Sequence, residues 1–126
     1  MARNVCFSYM YRDASNWKAF GEIVVQGDPS LSVEDAEQQI REVCSEGLYF
    51  IADQVEVPEI FLWLTTRLYD DDHCWHEFEG LKETDAPVTD PEGRSIVELV
   101  RVFQRAKDEG WREFEPAERL YRRFSG

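Results

Sequence analysis

The chain has 126 residues, 43% hydrophobic and 13% aromatic, with a net charge of −12. Length and apolar content predict one compact acidic domain over 1–126, since chains of this size bury roughly two-thirds of their unfolded surface. The charge argues against direct nucleic-acid binding, which needs Lys and Arg on phosphates, and no apolar run approaches the ~20 residues of a membrane helix.

Val5, Phe7, Tyr9 and Tyr11 alternate with Cys6, Ser8, Met10 and Arg12, the period-two pattern of a strand. Asp13 to Asn16 supplies turn chemistry, and Ala19 to Gln26 reads as the returning strand of a hairpin. Ser32 is placed to cap a helix, with Asp35 three residues on and Val33, Ala36, Ile40, Val43 and Cys44 on one stripe. Its outer face would carry Glu34, Glu37, Gln38, Arg41 and Glu42, and Gly47 would stop it at C′. Leu48–Ile51 is a short apolar segment, either a strand or a buried connection. Ile60–Leu64 is apolar on both faces, which predicts a covered strand, followed by a loop and a returning strand over Cys74–Glu79, with Gly80 at a bulge or an end. Asp90-Pro91 reads as N-cap and N1 of a second amphipathic helix through Ile96, Leu99, Val100, Phe103 and Ala106, ended by Gly110. Trp111 and Phe114 would fold back on the core, and Glu115-Pro116 would start a short C-terminal helix. The expected fold is α+β, in ββαββα order with a short C-terminal helix. Its sheet is mainly antiparallel, of about four strands, with two principal helices.

The chemically richest stretch is Asp70 to Gly80, which holds both histidines, Cys74, Trp75 and five acids. On a strand, Cys74, His76 and Phe78 share one face while Trp75, Glu77 and Glu79 share the other. Zinc takes such ligand types, with His73, Cys44 or Asp70–Asp72 to complete a set, but no paired Cys-x-x-Cys spacing exists. A Cys–His nucleophile would draw its two members from different elements, and Glu77 and Glu79 on a solvent-facing strand suit no acid–base pair. Neither a phosphate-binding glycine loop nor the spacing of a calcium loop is present. The reading expects no metal, no cofactor and no catalytic residues. Cys6, Cys44 and Cys74 are an odd count without pairing, which together with the absence of an N-terminal secretory signal predicts reduced thiols in the cytoplasm.

Charge is unevenly placed. Residues 28–98 carry 19 acids and four bases, a balance of −15, while the remainder carries seven acids and ten bases, +3. Attraction to a basic protein surface follows from such a field. The expected function is therefore a non-catalytic acidic protein that covers a basic surface, itself a nucleic-acid-binding one in the sharpest version. Immunity proteins against nucleases and phage anti-defence inhibitors use that physics, an analogy of charge and not of sequence. Asp70, Asp71, Asp72, Trp75, Glu77, Glu79 and Trp17 are the expected contacts, the tryptophans because aromatics beside charges are enriched at interfaces. Two alternatives stand beside it: a pocket for a nucleotide-like ligand using Trp or Tyr stacking with Arg from the C-terminal segment, and a metal-dependent enzyme centred on His73–Glu79. The two-faced Ile60–Leu64 strand also predicts a homodimer.

Overall fold

The computed structural model describes residues 3–64, 68–69 and 72–125. Four antiparallel strands form one sheet in the order β2-β1-β4-β3: β1 is Asn4–Arg12, β2 Lys18–Val25, β3 Tyr49–Phe50 and β4 His76–Thr84. Helices α1 (Val33–Val43) and α2 (Ile96–Glu109) are the two principal ones, and α3 (Pro116–Ser125) is the short C-terminal one. The fold is the expected α+β arrangement. No helix among the described residues is long and apolar enough to cross a membrane.

The period-two pattern of β1 sets the core. Val5, Phe7, Tyr9 and Tyr11 are all buried, and Phe7 lies 5.1 Å from Phe78, 5.8 Å from Phe50 and 5.7 Å from Phe103, centroid to centroid. Burying each such ring stabilises the fold by ~1.5–3 kcal/mol. The hairpin closes where its turn residues predict: the Asp13 carboxylate accepts the Trp17 N–H at 2.9 Å, and Asn16 takes φ 69°, which asparagine tolerates. Ser32 caps α1 by accepting the Asp35 N–H at 3.1 Å.

Gly80 marks a bulge. The β1–β4 register slips between Ser8, opposite Gly80, and Tyr9, opposite Phe78, so Glu79 is the extra residue. A bulge leaves backbone groups without ladder partners, and α1 supplies them. The Glu37 carboxylate accepts the Leu81 N–H at 2.8 Å, and Arg41 donates to the Glu79 carbonyl at 3.0 Å. A side chain at Gly80, with φ 157°, would meet that same Glu37 oxygen at 3.0 Å. Glu37 and Arg41 thus reach back to the sheet while remaining partly exposed, rather than lying wholly on an outer face.

Four expectations change. Ile60–Leu64 is not a strand: it ends in a 3-10 turn at Leu62–Leu64 that buries Phe61 and Trp63, stacked at 4.5 Å, in a second small core with Tyr11. The third strand comes instead from the 48–51 run. The returning strand starts at His76, not Cys74, and continues through the bulge to Thr84. Helix α2 is capped by Ser95 in a capping box with Glu98, not by Asp90-Pro91, because Asp90 is committed to Arg94 at 2.9 Å. Finally, α1 ends on an extended Cys44 that bonds back to Ile40, and Gly47, at φ 73°, turns the chain three residues later instead of serving as C′.

Candidate binding groove

Tyr69 and Asp72 to Trp75, just before β4, are tied to β1 and to one another by hydrogen bonds. The Tyr11 hydroxyl donates to Asp72 at 2.6 Å and accepts the His73 N–H at 3.3 Å. Asp72 also accepts the Tyr69 N–H at 2.8 Å. His73 accepts the Trp75 N–H on Nδ1 at 3.0 Å, which leaves Nε2 carrying the proton it shares with the Arg12 carbonyl at 2.7 Å. Burial, together with the Asp72 bond, pushes the Tyr11 hydroxyl pKa up, so it stays a donor. The outcome is a hydrogen-bonded platform that presents Trp75.

Trp75 is half-buried, with its indole N–H donating to Glu113 at 2.8 Å and its ring edge-on to Tyr49 at 6.4 Å. A groove of about 460 Å³ lies along one side of it, lined by Asp72, His73, Cys74, Trp75 and the 113–118 segment with Glu113, Glu115 and Glu118. A second hollow of about 370 Å³, sharing His73, Trp75 and Glu113 with the first, is bounded also by Tyr49 and Glu46. Among the described residues neither is lined by a lysine or an arginine. The wall that faces Trp75 exists because Trp111 and Phe114 do fold back: Trp111 donates to the Val43 carbonyl at 2.9 Å and Phe114 packs at 6.0 Å from Phe61. Glu113 and Glu115 are thereby left outward.

Of the expected contacts, Trp75 and Asp72 meet here, though the Asp72 carboxylate is held by Tyr11 and Tyr69. Asp70 and Asp71 lie outside the described residues. Glu77 is buried, not exposed, and is held by Arg12 at 3.1 Å. Glu79 is exposed but does not line the groove, and neither does Trp17, which is 71% exposed beside the hairpin turn. The residues that sequence reading missed are Glu46, Tyr49, Glu113, Glu115 and Glu118. For Glu113 and Glu115 the signal was the run Trp111-Arg112-Glu113-Phe114-Glu115, where anchoring aromatics set acids outward, and it was hidden by counting these acids within a remainder whose net charge is +3; Glu46 and Tyr49 carry no such local signal.

The histidine–cysteine cluster is divided. Cys74 and His76 are buried, and His76 accepts the Ile60 N–H on Nε2 at 3.0 Å. One lone pair on each histidine is therefore spent on a backbone amide. Among the described residues no three His, Cys, Asp or Glu side chains converge to hold a metal ion. Burial raises the Cys74 thiol pKa, the reverse of what a nucleophile requires. Compared with known proteins, the chain matches no family model, and no curated protein or solved structure gives a significant match.

Proposed function

We propose that the chain is a non-catalytic binding protein that receives basic side chains of a partner protein in the groove around Trp75. The observation that supports this is a partly open indole flanked by Glu46, Asp72, Glu113, Glu115 and Glu118, with no cationic side chain among the described residues of the lining. An arginine or lysine entering there meets carboxylates on two sides and an aromatic surface, which together supply ion pairing and cation–π attraction. A nucleotide-like ligand would bring phosphate into the same carboxylates. Arg119, a C-terminal base near enough to help it, is taken by Glu59 at 2.6 Å and lies over Phe114 at 3.9 Å. In the sharpest version the partner's basic surface is one that binds nucleic acid, so that covering it inhibits the partner.

The test uses an arginine-rich synthetic peptide as probe, followed by tryptophan fluorescence and surface plasmon resonance. Binding should weaken as salt rises, since screening near ~8–10 Å cuts long-range attraction. Glu46→Gln/Glu113→Gln should slow association, and Trp75→Ala should speed dissociation, because a desolvated aromatic anchor governs residence. Binding indifferent to salt and to all three substitutions, or a preference for a nucleoside phosphate over the peptide, would overturn the reading.

A further inference from the structure

The outer edge of β2 is unprotected over half its length. Val24 turns its backbone away from β1: its N–H donates to Thr89 Oγ1 at 2.9 Å and its carbonyl accepts from Thr89 and Asp90. Gln26 does likewise, bonding Arg94 and Ile96. By the two-residue repeat of a strand, Lys18, Phe20 and Glu22 also direct their N–H and C=O outward. Among the described residues nothing takes up those groups. The 89–96 segment covers the edge only from Val24 onward.

The side chains on this open stretch are self-complementary. Lys18, Phe20 and Glu22 share the sheet face opposite the helices, since Ile23 and Val25 are buried in the core and Gly21 backs onto Tyr9 and Ile60. All three are exposed, Phe20 at 66%. Within its own chain Lys18 stands across from another base, Arg12, which is already held by Glu77. Among the described residues Lys18 has no ion pair.

We propose that a second copy of this chain docks on that edge, pairing β2 with β2 antiparallel about a two-fold axis at Phe20. In this register Lys18 faces Glu22 of the partner subunit, Phe20 faces Phe20 of the partner subunit, and Glu22 faces Lys18 of the partner subunit. Each is a hydrogen-bonded pair, because all three residues point their backbone groups outward. Shifting the axis by one residue breaks both charge pairs. The contact is isologous and closed, so it ends at a dimer with one continuous sheet, and it abolishes an edge that would otherwise be exposed. It replaces the Ile60–Leu64 surface, whose large side chains Phe61 and Trp63 are buried within the chain. It shares no residue with the groove around Trp75, so either can fail without the other.

Sedimentation of the intact chain across a ~100-fold concentration range should show a reversible monomer–dimer equilibrium. Lys18→Glu alone places Glu opposite Glu at both ends, and Glu22→Lys alone places Lys opposite Lys. Each should weaken the dimer ~tenfold, taking two cross-strand pairs from attraction to repulsion. An equimolar mixture of the two variants restores both pairs in the heterodimer and should associate as tightly as the parent, which damaged folding would not produce. A parent that stays monomeric, a dimer unmoved by either substitution, or a mixture no tighter than the single variants would each overturn the proposal.

Discussion

His76 is buried among Phe61, Phe50, Tyr9 and Tyr11, the Phe61 ring being 4.5 Å away. Among the described residues its Nδ1 finds no hydrogen-bond partner. Burial, with a smaller push from His73, lowers its pKa from 6.5 to about 3. A depressed histidine pKa means that the unfolded chain takes up a proton near 6.5 while the folded chain refuses it until about 3. Stability is therefore fully present above 6.5 and is lost progressively as pH falls toward 3. Between neutral pH and about 4.5 the parent should lose ~2–3 kcal/mol more than His76→Gln, at 1.36 kcal/mol per pH unit of differential protonation. Urea titrations at both pH values measure this difference. Equal pH slopes for the two chains would show that His76 does not carry the effect.

At the level of elements, one buried pair holds the loop before α2. Arg94 and Asp90 are both buried, and the guanidinium donates to both Asp90 oxygens at 2.9 Å, to the Val55 carbonyl at 2.6 Å and to the Glu56 carbonyl at 2.9 Å. Burial works against the Asp90 charge, but the bonds and charge of Arg94 outweigh it and leave the carboxyl below its ordinary value. A flexible ammonium cannot reproduce this planar set of contacts. Arg94→Ala should cost ~3 kcal/mol by stranding a buried carboxylate, and Arg94→Lys should recover little of it, since one ammonium cannot serve Asp90 and the Val55 and Glu56 carbonyls together. Chemical denaturation would settle it, and a loss below ~1 kcal/mol for the lysine variant would remove the fork geometry as the cause. The same pair explains a misreading. Asp90-Pro91 and Ser95-x-x-Glu98 are both sound helix starts in sequence, and only the three-dimensional demand of Arg94 chooses between them. Ile60–Leu64 failed likewise: a short apolar run carries no period to separate a strand from a buried turn. The Ile60 N–H bond to His76 and the Tyr9 hydroxyl bond to the Pro58 carbonyl, at 2.7 Å, carry this segment across the end of the sheet instead.

Over the whole molecule, the hairpin, α1 and the body of α2 were legible because their apolar spacing is local and periodic. The groove was not, because it joins Glu46 and Tyr49 to Trp75 and Glu113, residues far apart in the chain whose meeting depends on Trp111 and Phe114 folding back. The global charge has a consequence that sequence and structure share. With 26 acids against 14 bases, folding crowds like charges, and six arginines are already spent in the described ion pairs. Net repulsion destabilises the compact state and is screened by salt. The melting temperature should accordingly rise between ~20 mM and ~0.5 M sodium chloride, where the screening length falls several-fold. The carboxylates should divide by role. Glu77 is neutralised by Arg12, so Glu77→Gln should lower the melting temperature. Glu46 and Glu113 both line the hollow beside Trp75, so Glu46→Gln/Glu113→Gln should raise it by ~2 °C at low salt, a gain of about half a kcal/mol. That gain should vanish at high salt. Calorimetry on the two variants at both salt concentrations tests the division: a double variant no more stable than the parent at low salt would mean that the groove acids impose no electrostatic strain. A stabilised variant that also loses the arginine-rich peptide would instead identify those acids as retained for binding at a cost to the fold.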